Sequence, residues 1–156
     1  MLSDPRFDVA RHLAGRDAPV FGIDLHWLPH AHGALGLAEL VKQVHREATV
    51  LIGGLSATWF HQEVIANPAV DLVLRGDSTE EPCRQLLAAL RDGMPLEAVE
   101  NLTWKRPSGH VVVNPLSFVP AALDWIGVPA CDFMTHAVFK SRSLADVEPL
   151  QPSERW

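Results

Sequence analysis

The stretch VLIGGLSATWFHQEVIANPAVDLVLRGDSTEEP, residues 50–82, holds two apolar runs that each end in glycine and polar residues. ATVLIGG and VDLVLRGD contain continuous apolar stretches, which is typical of strands buried on both faces. Between them, WFHQEVIA predicts a short helix that ends at Asn67 and Pro68. Strand, helix and strand in this order indicate a parallel pair joined by a right-handed crossover.

The same alternation extends toward the N-terminus. PVFGID, residues 19–24, predicts another buried strand. Residues 35–47 predict a helix, because apolar residues recur there at helical spacing, at Leu37, Leu40, Val41 and Val44. A short amphipathic segment around Phe7, Val9 and Leu13 comes before the strand.

Toward the C-terminus, the third strand leads into another helix and then a hairpin. Ser78 and Glu81 stand at capping-box spacing, and Pro82 suits a first helical turn. LTWK and HVVVN, on either side of a turn at residues 107–109, predict a β-hairpin at the sheet edge. From Pro115 onward, recurring prolines predict a linker.

The predicted fold class is α/β, a Rossmann-like (flavodoxin-like) parallel sheet with flanking helices and an added β-hairpin. A complete doubly wound sheet has about five or six strands, whereas the sequence predicts only three parallel ones. We therefore expect an incomplete sheet whose open edge is covered by another chain or used for self-association.

Composition restricts the function classes. The chain has 156 residues, a formal net charge of -6 and no block of basic residues, which argues against nucleic acid or an anionic membrane surface as a partner. No apolar stretch approaches the roughly 20 residues that span a bilayer. Two cysteines, Cys83 and Cys131, are too few for a disulfide framework and indicate a reduced, cytoplasmic setting.

Ligands of open parallel sheets bind beyond the carboxyl ends of the strands, where loops and helix N-termini meet. Here that edge comprises the segments 24–33, 53–58 and 76–80. They offer glycines for close backbone approach and several hydroxyl groups. Asp71, at the other end of its strand, is expected to be structural.

The first segment, GIDLHWLPHAHG, is rich in histidine and leaves a metal site open as an interpretation. His26 and His30 are four residues apart, but Pro29 between them disfavours a regular helix through the pair. Loop polarity is the simpler interpretation of His30 and His32. The other histidines are expected to be solvated or bound by local partners, and Cys83 to be a small buried residue on a helix.

FGIDLHWLPHAHG, the GG segment with its following Ser and Thr, VDLVLRGDSTEEP, the hairpin and a terminal LD together resemble the cobalamin-binding N-terminal region of cobalamin-dependent radical SAM proteins. The resemblance runs from about Phe7 to Asp124. It implies a partial cobalamin-binding domain over residues 1–124 and a linker over 125–156. That linker would lead to a radical SAM domain absent from this chain.

The resemblance also assigns site residues. Gly53 and Gly54 correspond to glycines that approach the corrin or its nucleotide tail, with Ser56 and Thr58 beside them. Asp24 and His26 fall where the family has a Ser-x-Leu pair that lines the nucleotide pocket. The third wall would be formed by Gly76, Asp77, Ser78 and Thr79.

Departures from the family pattern leave alternatives open. The chain has no CxxxCxxC motif, so the [4Fe-4S] cluster, S-adenosylmethionine and any catalysis would belong to the parent protein. Asp24 and His26 also match the first half of the DxHxxG pattern of corrinoid methyltransferases and mutases, although Pro29 occupies the glycine position. His26 is therefore a candidate cobalt ligand. A non-catalytic module that binds another nucleotide-like ligand or a protein, and a small metal-dependent enzyme that uses the histidine loop, remain alternative functions.

Overall fold

The structure, a computed structural model, describes residues 8–121, which include a five-stranded mixed sheet. Its strands lie in chain order: β1 (Val20–Asp24), β2 (Thr49–Gly53), β3 (Leu72–Leu74), β4 (Leu102–Lys105) and β5 (Val111–Val113). β1, β2 and β3 are parallel, whereas β4 runs antiparallel to β3 and pairs with β5 as a hairpin. The predicted α/β fold with an added hairpin is confirmed.

The helices are α1 (Val9–Ala14), α2 (Ala31–Val44), α3 (Leu55–Trp59), α4 (His61–Ala66) and α5 (Glu80–Asp92). Successive strand residues point to opposite faces of the sheet. Val50 and Ile52 therefore join one core cluster with residues of α1 to α4, and Leu51 joins a second cluster with α5. α5 covers the face opposite to the other helices.

Three local predictions were wrong. The helix predicted over residues 35–47 begins earlier, at Ala31, and ends at Val44. For WFHQEVIA the sequence predicted one helix, but the structure has two short helices, α3 and α4, which meet at Phe60. The capping box is also absent, because the Glu81 carboxylate accepts hydrogen bonds from Arg84 at 2.7 Å instead of reaching back, and Thr79 is the N-cap without a side-chain bond.

The amino ends of the strands are fastened by a polar network around Asp71. One Asp71 carboxylate oxygen accepts from the Val50 N–H at 2.7 Å and lies 2.6 Å from Lys42 Nζ. Lys105 Nζ donates to the carbonyls of Asn67 and Val70, and burial lowers the pKa of Lys105. The structural role predicted for Asp71 is confirmed.

Two predictions fall outside the described residues, namely the domain boundary at residue 124 and the linker over 125–156, which contains Cys131. Within residues 8–121, β1 has a strand neighbour on its β2 side only, so self-association through its other edge stays a prediction. No helix in this part of the chain has the length and apolar character needed to cross a membrane. Cys83 is half-buried on α5, where burial raises the pKa of its thiol.

Candidate functional site

The three parallel strands end side by side, as predicted. Asp24 at the end of β1 is in register with Gly53 at the end of β2, and the Leu25 N–H donates to the Gly53 carbonyl at 2.7 Å. The segment after β1 is shorter than the sequence indicated, because a 3₁₀ turn occupies Leu28–His30 and α2 starts at Ala31. Pro29 sits at the start of that turn, where its fixed φ is favourable.

Gly54 is required by the fold itself. Its φ is +104°, in the region that favours glycine, and a Cβ placed there would lie 2.8 Å from the Leu25 carbonyl oxygen. The same Cβ would lie 2.6 Å from Asp24 Oδ1. A close contact between the ends of β1 and β2 therefore explains this glycine without any ligand.

Gly53 differs from its neighbour. It has no positive φ, and a Cβ there would meet only the Leu74 carbonyl oxygen, at an ordinary 3.8 Å. Gly53, Asp24 and Gly22 project from the same face of β1 and β2, since register partners and alternate residues share a face. Gly22 and Asp24 are exposed, so this face carries little side-chain cover at its carboxyl end. We call these three residues the open sheet patch.

Ser56 and Thr58 lie in α3 and connect the three segments. Ser56 Oγ donates to the His26 carbonyl at 2.9 Å, which joins α3 to the segment after β1. Thr58 Oγ1 donates to the Gly54 carbonyl at 3.0 Å and accepts from the Gly76 N–H at 2.8 Å. These hydroxyl groups hold the walls of the candidate site in position.

The third segment is built around Gly76. Its φ is +120°, and a Cβ there would lie 3.2 Å from Asn101 Nδ2 and 3.3 Å from Thr79 Cγ2. Glycine is thus needed where the chain turns from β3 toward α5. Asp77 is exposed, and Ser78 and Thr79 are half-buried, at the same edge of the sheet.

His26, two residues after Asp24 of the open sheet patch, has an exposed side chain. Its ring packs edge-to-face against Trp27 at a centroid distance of 5.0 Å. In the part of the chain that the structure describes, no three His, Cys, Asp or Glu side chains are placed to hold a metal ion. The histidine-loop metal enzyme therefore has no ligand set there, whereas one imidazole suits a metal already held by a macrocycle.

Large apolar side chains are exposed around this edge. Trp59 is 77% exposed and Trp27 is 61% exposed, and Leu28, Leu55 and Phe60 also reach solvent. Leu55 and Trp59 are four residues apart on α3, so they lie on one side of it. Exposed large apolar groups in the segments that follow β1 and β2 indicate a contact surface for a ligand or a partner.

Arg75, which directly follows β3, is the residue that the sequence analysis missed. It is only 6% exposed, its guanidinium donates to the Asn114 carbonyl, and its buried Nε has no hydrogen-bond partner. His61 lies near it and contacts Thr103 Oγ1 through Nδ1 at 3.0 Å. Burial, and secondly the charge of Arg75, lower the pKa of His61. The only sequence signal was an arginine at the end of a buried strand.

Two buried asparagines hold the chain that follows β5. Asn101, at a φ of 62°, accepts from the N–H groups of Ser117 and Phe118 at 2.9 and 3.1 Å. Asn114 Nδ2 donates to the carbonyls of Leu96 and Val99, both at 2.7 Å. Because Asn101 also lies beside Gly76, residues 115–118 pass along the carboxyl edge of the sheet.

No protein-family model matches the sequence, and no curated protein matches it. Solved structures share the fold. The radical S-adenosylmethionine methyltransferase TsrM from Kitasatospora setae, solved with cobalamin and a [4Fe-4S] cluster, aligns at a TM-score of 0.59 and 14% identity, over 72% of this chain and 21% of its own. The cobalamin-dependent radical enzyme OxsB, solved with aqua-cobalamin and S-adenosylmethionine, aligns at a TM-score of 0.55 and 16% identity. The alignment covers 71% of this chain and 16% of OxsB.

The likeness to TsrM and OxsB is one of fold, since identities are 14% and 16%. The chain spans about a fifth of the length of TsrM, at 21%, and less of OxsB, at 16%. Its mixed sheet and flanking helices thus form an α/β fold that is consistent with the Rossmann-like fold of cobalamin-binding modules.

Proposed function

We propose that this chain binds cobalamin at the carboxyl edge of β1, β2 and β3, as the cofactor-holding part of a radical SAM protein. The observation that carries the proposal is Gly53. The fold gives no internal reason for glycine at this position, since a Cβ there would meet only the Leu74 carbonyl oxygen at 3.8 Å, and Gly53 belongs to the open sheet patch. Glycine without an internal reason, at the edge where α/β folds bind ligands, marks a place where a flat group approaches the backbone.

Each wall of the site has a distinct role in this proposal. Asp24 and Gly53 line the sheet side, where the nucleotide tail or the corrin edge would lie. Gly54 and Thr58 hold the segment 53–58 in place against the segments 24–33 and 76–80. Ser56, Gly76, Asp77, Ser78 and Thr79 complete the rim. Bound cobalamin would supply the cobalt chemistry, and the chain would bind and orient the cofactor.

His26 is the residue proposed to reach cobalt. In the described part of the chain its ring packs edge-to-face against Trp27 and makes no hydrogen bond, so a metal contact would disrupt no internal hydrogen bond. An imidazole that binds cobalt changes the visible spectrum of the corrin, whereas an imidazole that only lines the pocket does not. Spectra of bound cobalamin should therefore differ between the wild type and His26→Ala. His32→Ala is the matched control, since His32 is exposed on α2.

The radical SAM barrel, its [4Fe-4S] cluster and S-adenosylmethionine are proposed for the larger parent protein. The course of residues 115–118 supports this arrangement, because the chain after the hairpin follows the edge where the cofactor would be held. A barrel that follows in the chain could then cover the exposed side of the corrin.

Incubation with hydroxocobalamin, followed by desalting and visible absorbance, tests the proposal. Retention of about one equivalent of corrin per chain is the expected result. A protein that elutes colourless while its circular dichroism shows the folded state would overturn the proposal. Bovine serum albumin treated in the same way controls for nonspecific adsorption.

A second function is favoured by the exposed apolar groups. Trp27, Leu55, Trp59 and Phe60 would suit a protein partner or another nucleotide-like ligand as well as a corrin. Trp59→Ala separates the two possibilities. Loss of cobalamin retention would assign Trp59 to the corrinoid site, whereas unchanged retention would leave this surface for a partner.

A further inference from the structure

The Arg75 guanidinium is buried without a compensating charge. Within residues 8–121, no aspartate or glutamate forms an ion pair with it, although Lys42, Arg84, Arg91 and Arg106 each have a carboxylate within 4.0 Å. Its one hydrogen bond in this region goes to a neutral backbone carbonyl, that of Asn114. Buried charges are normally paired, and buried donors are normally bonded.

The charge of Arg75 acts on His61, which is in turn bonded to Thr103. Thr103 is fully buried and holds the His61 ring through Nδ1 at 3.0 Å. Two charged groups act on His61, namely Arg75, which directly follows β3, and Glu63 on the same helix, α4. Burial, and secondly the charge of Arg75, lower the pKa of His61, which favours the neutral imidazole beside this guanidinium.

We propose that Arg75 binds an oxyanion, a carboxylate or phosphate group of a small ligand, with His61 and Thr103 forming the adjoining wall. An oxyanion would accept the unmade Nε–H bond and offset the buried charge at the same time. Guanidinium suits this role because its planar fork matches the paired oxygens of these groups. This inference goes beyond cobalamin binding, because it concerns a separate polar group and needs no corrin.

The wild-type protein provides the first test. Inorganic phosphate and acetate are titrated at constant ionic strength while the Arg75 Nε–H resonance is followed by ¹H–¹⁵N NMR. A saturable shift of this resonance, absent in an equal titration with chloride, is expected. No shift with phosphate, acetate or hydroxocobalamin would overturn the inference.

Variants provide the second test. Arg75→Met should weaken phosphate or acetate binding at least tenfold, and Arg75→Lys, which keeps the charge but lacks Nε, should weaken it less. Arg84→Met, which removes an exposed cation, is the matched control and should bind as the wild type does. If Arg75→Met folds and binds both anions as the wild type does, the inference is wrong. If it does not fold, anion binding by Arg75→Lys and the shift of the wild-type Nε–H resonance decide whether the inference holds.

The source of the oxyanion is separated by comparing hydroxocobalamin with cobinamide, which lacks the phosphodiester of the nucleotide tail. A shift of the Arg75 resonance with hydroxocobalamin but not with cobinamide assigns the site to that phosphodiester. A shift with phosphate or acetate but with neither corrinoid assigns it to a free anion. Because the phosphate and acetate titrations contain no corrinoid, this inference and the proposed function can fail separately.

Discussion

The backbone of Gly54 lies directly against that of Leu25, so that a Cβ at position 54 would come within 2.8 Å of the Leu25 carbonyl oxygen. The N–H groups of Ser56 and Ala57 also donate to this oxygen, at 3.1 and 3.2 Å. The ends of β1 and β2 and the start of α3 are therefore a single closely packed junction. The candidate site is built on that junction.

Gly54→Ala should destabilise the protein by more than about 2 kcal/mol, because alanine is strained at positive φ and its Cβ collides with Leu25 and Asp24. Urea unfolding followed by circular dichroism measures the change. Gly53→Ala is the matched control and should change the free energy of unfolding by less than about 1 kcal/mol. Equal losses in the two variants would contradict the packing described for Gly54.

Thr58→Val should cost about 1–3 kcal/mol, because it removes the hydroxyl oxygen that accepts from the Gly76 N–H and keeps the shape of the side chain. Amide hydrogen exchange at Gly76 should become faster in this variant. Thr58→Ser keeps the hydroxyl group and serves as the control. Unchanged exchange at Gly76 in the valine variant would show that Thr58 does not hold the third segment.

The side-chain amide of Asn101 should hold residues 115–118. Asparagine also adopts the φ of 62° found here more readily than most other residues do. Asn101→Gly keeps the backbone conformation but loses the amide, at a cost of about 1–3 kcal/mol. Asn101→Ala should lose about 1 kcal/mol more, because alanine resists positive φ. Limited proteolysis should cut both variants near Ser117 faster than the wild type. Cleavage of both variants at the wild-type rate would contradict this role of Asn101.

The lowered pKa of His61 should make the folded protein less stable in mild acid. Its pKa in the folded chain is below the ordinary 6.5, so the unfolded chain binds the proton first as the pH falls. The free energy of unfolding should therefore fall from about pH 7.5 to pH 5.5, and it should fall less in His61→Gln. Urea unfolding at both pH values gives the comparison. An equal fall in both proteins would show that His61 titrates normally.

The sequence predicted the fold because its strands are continuous apolar runs and α2 has a clear apolar stripe. It also identified the segments that meet at the carboxyl edge, since parallel strands must end together. The start of α2 was missed because His30 and His32 look like loop residues. Only the packed structure shows that α2 begins at Ala31, next to a turn that contains Pro29.

The roles within the site depended on contacts that no sequence pattern contains. Gly53 and Gly54 look alike in sequence, yet one faces an open patch and the other touches the Leu25 backbone. Thr58 was expected beside a ligand, and its hydroxyl is bonded to Gly54 and Gly76. Arg75 was missed because its side chain is buried and bonded to the carbonyl of Asn114, a residue 39 positions away in the chain.

An equilibrium titration of hydroxocobalamin into the wild type and Gly53→Val tests the central claim most directly. Valine suits a strand, so the variant should fold, while its side chain would fill the open sheet patch beside Asp24. Absorbance should show that the wild type saturates at about one equivalent and that Gly53→Val binds at least tenfold more weakly, a loss of about 1.4 kcal/mol or more. Equal affinity in the two proteins, or no saturable binding by the wild type, would contradict the assignment of this edge to cobalamin.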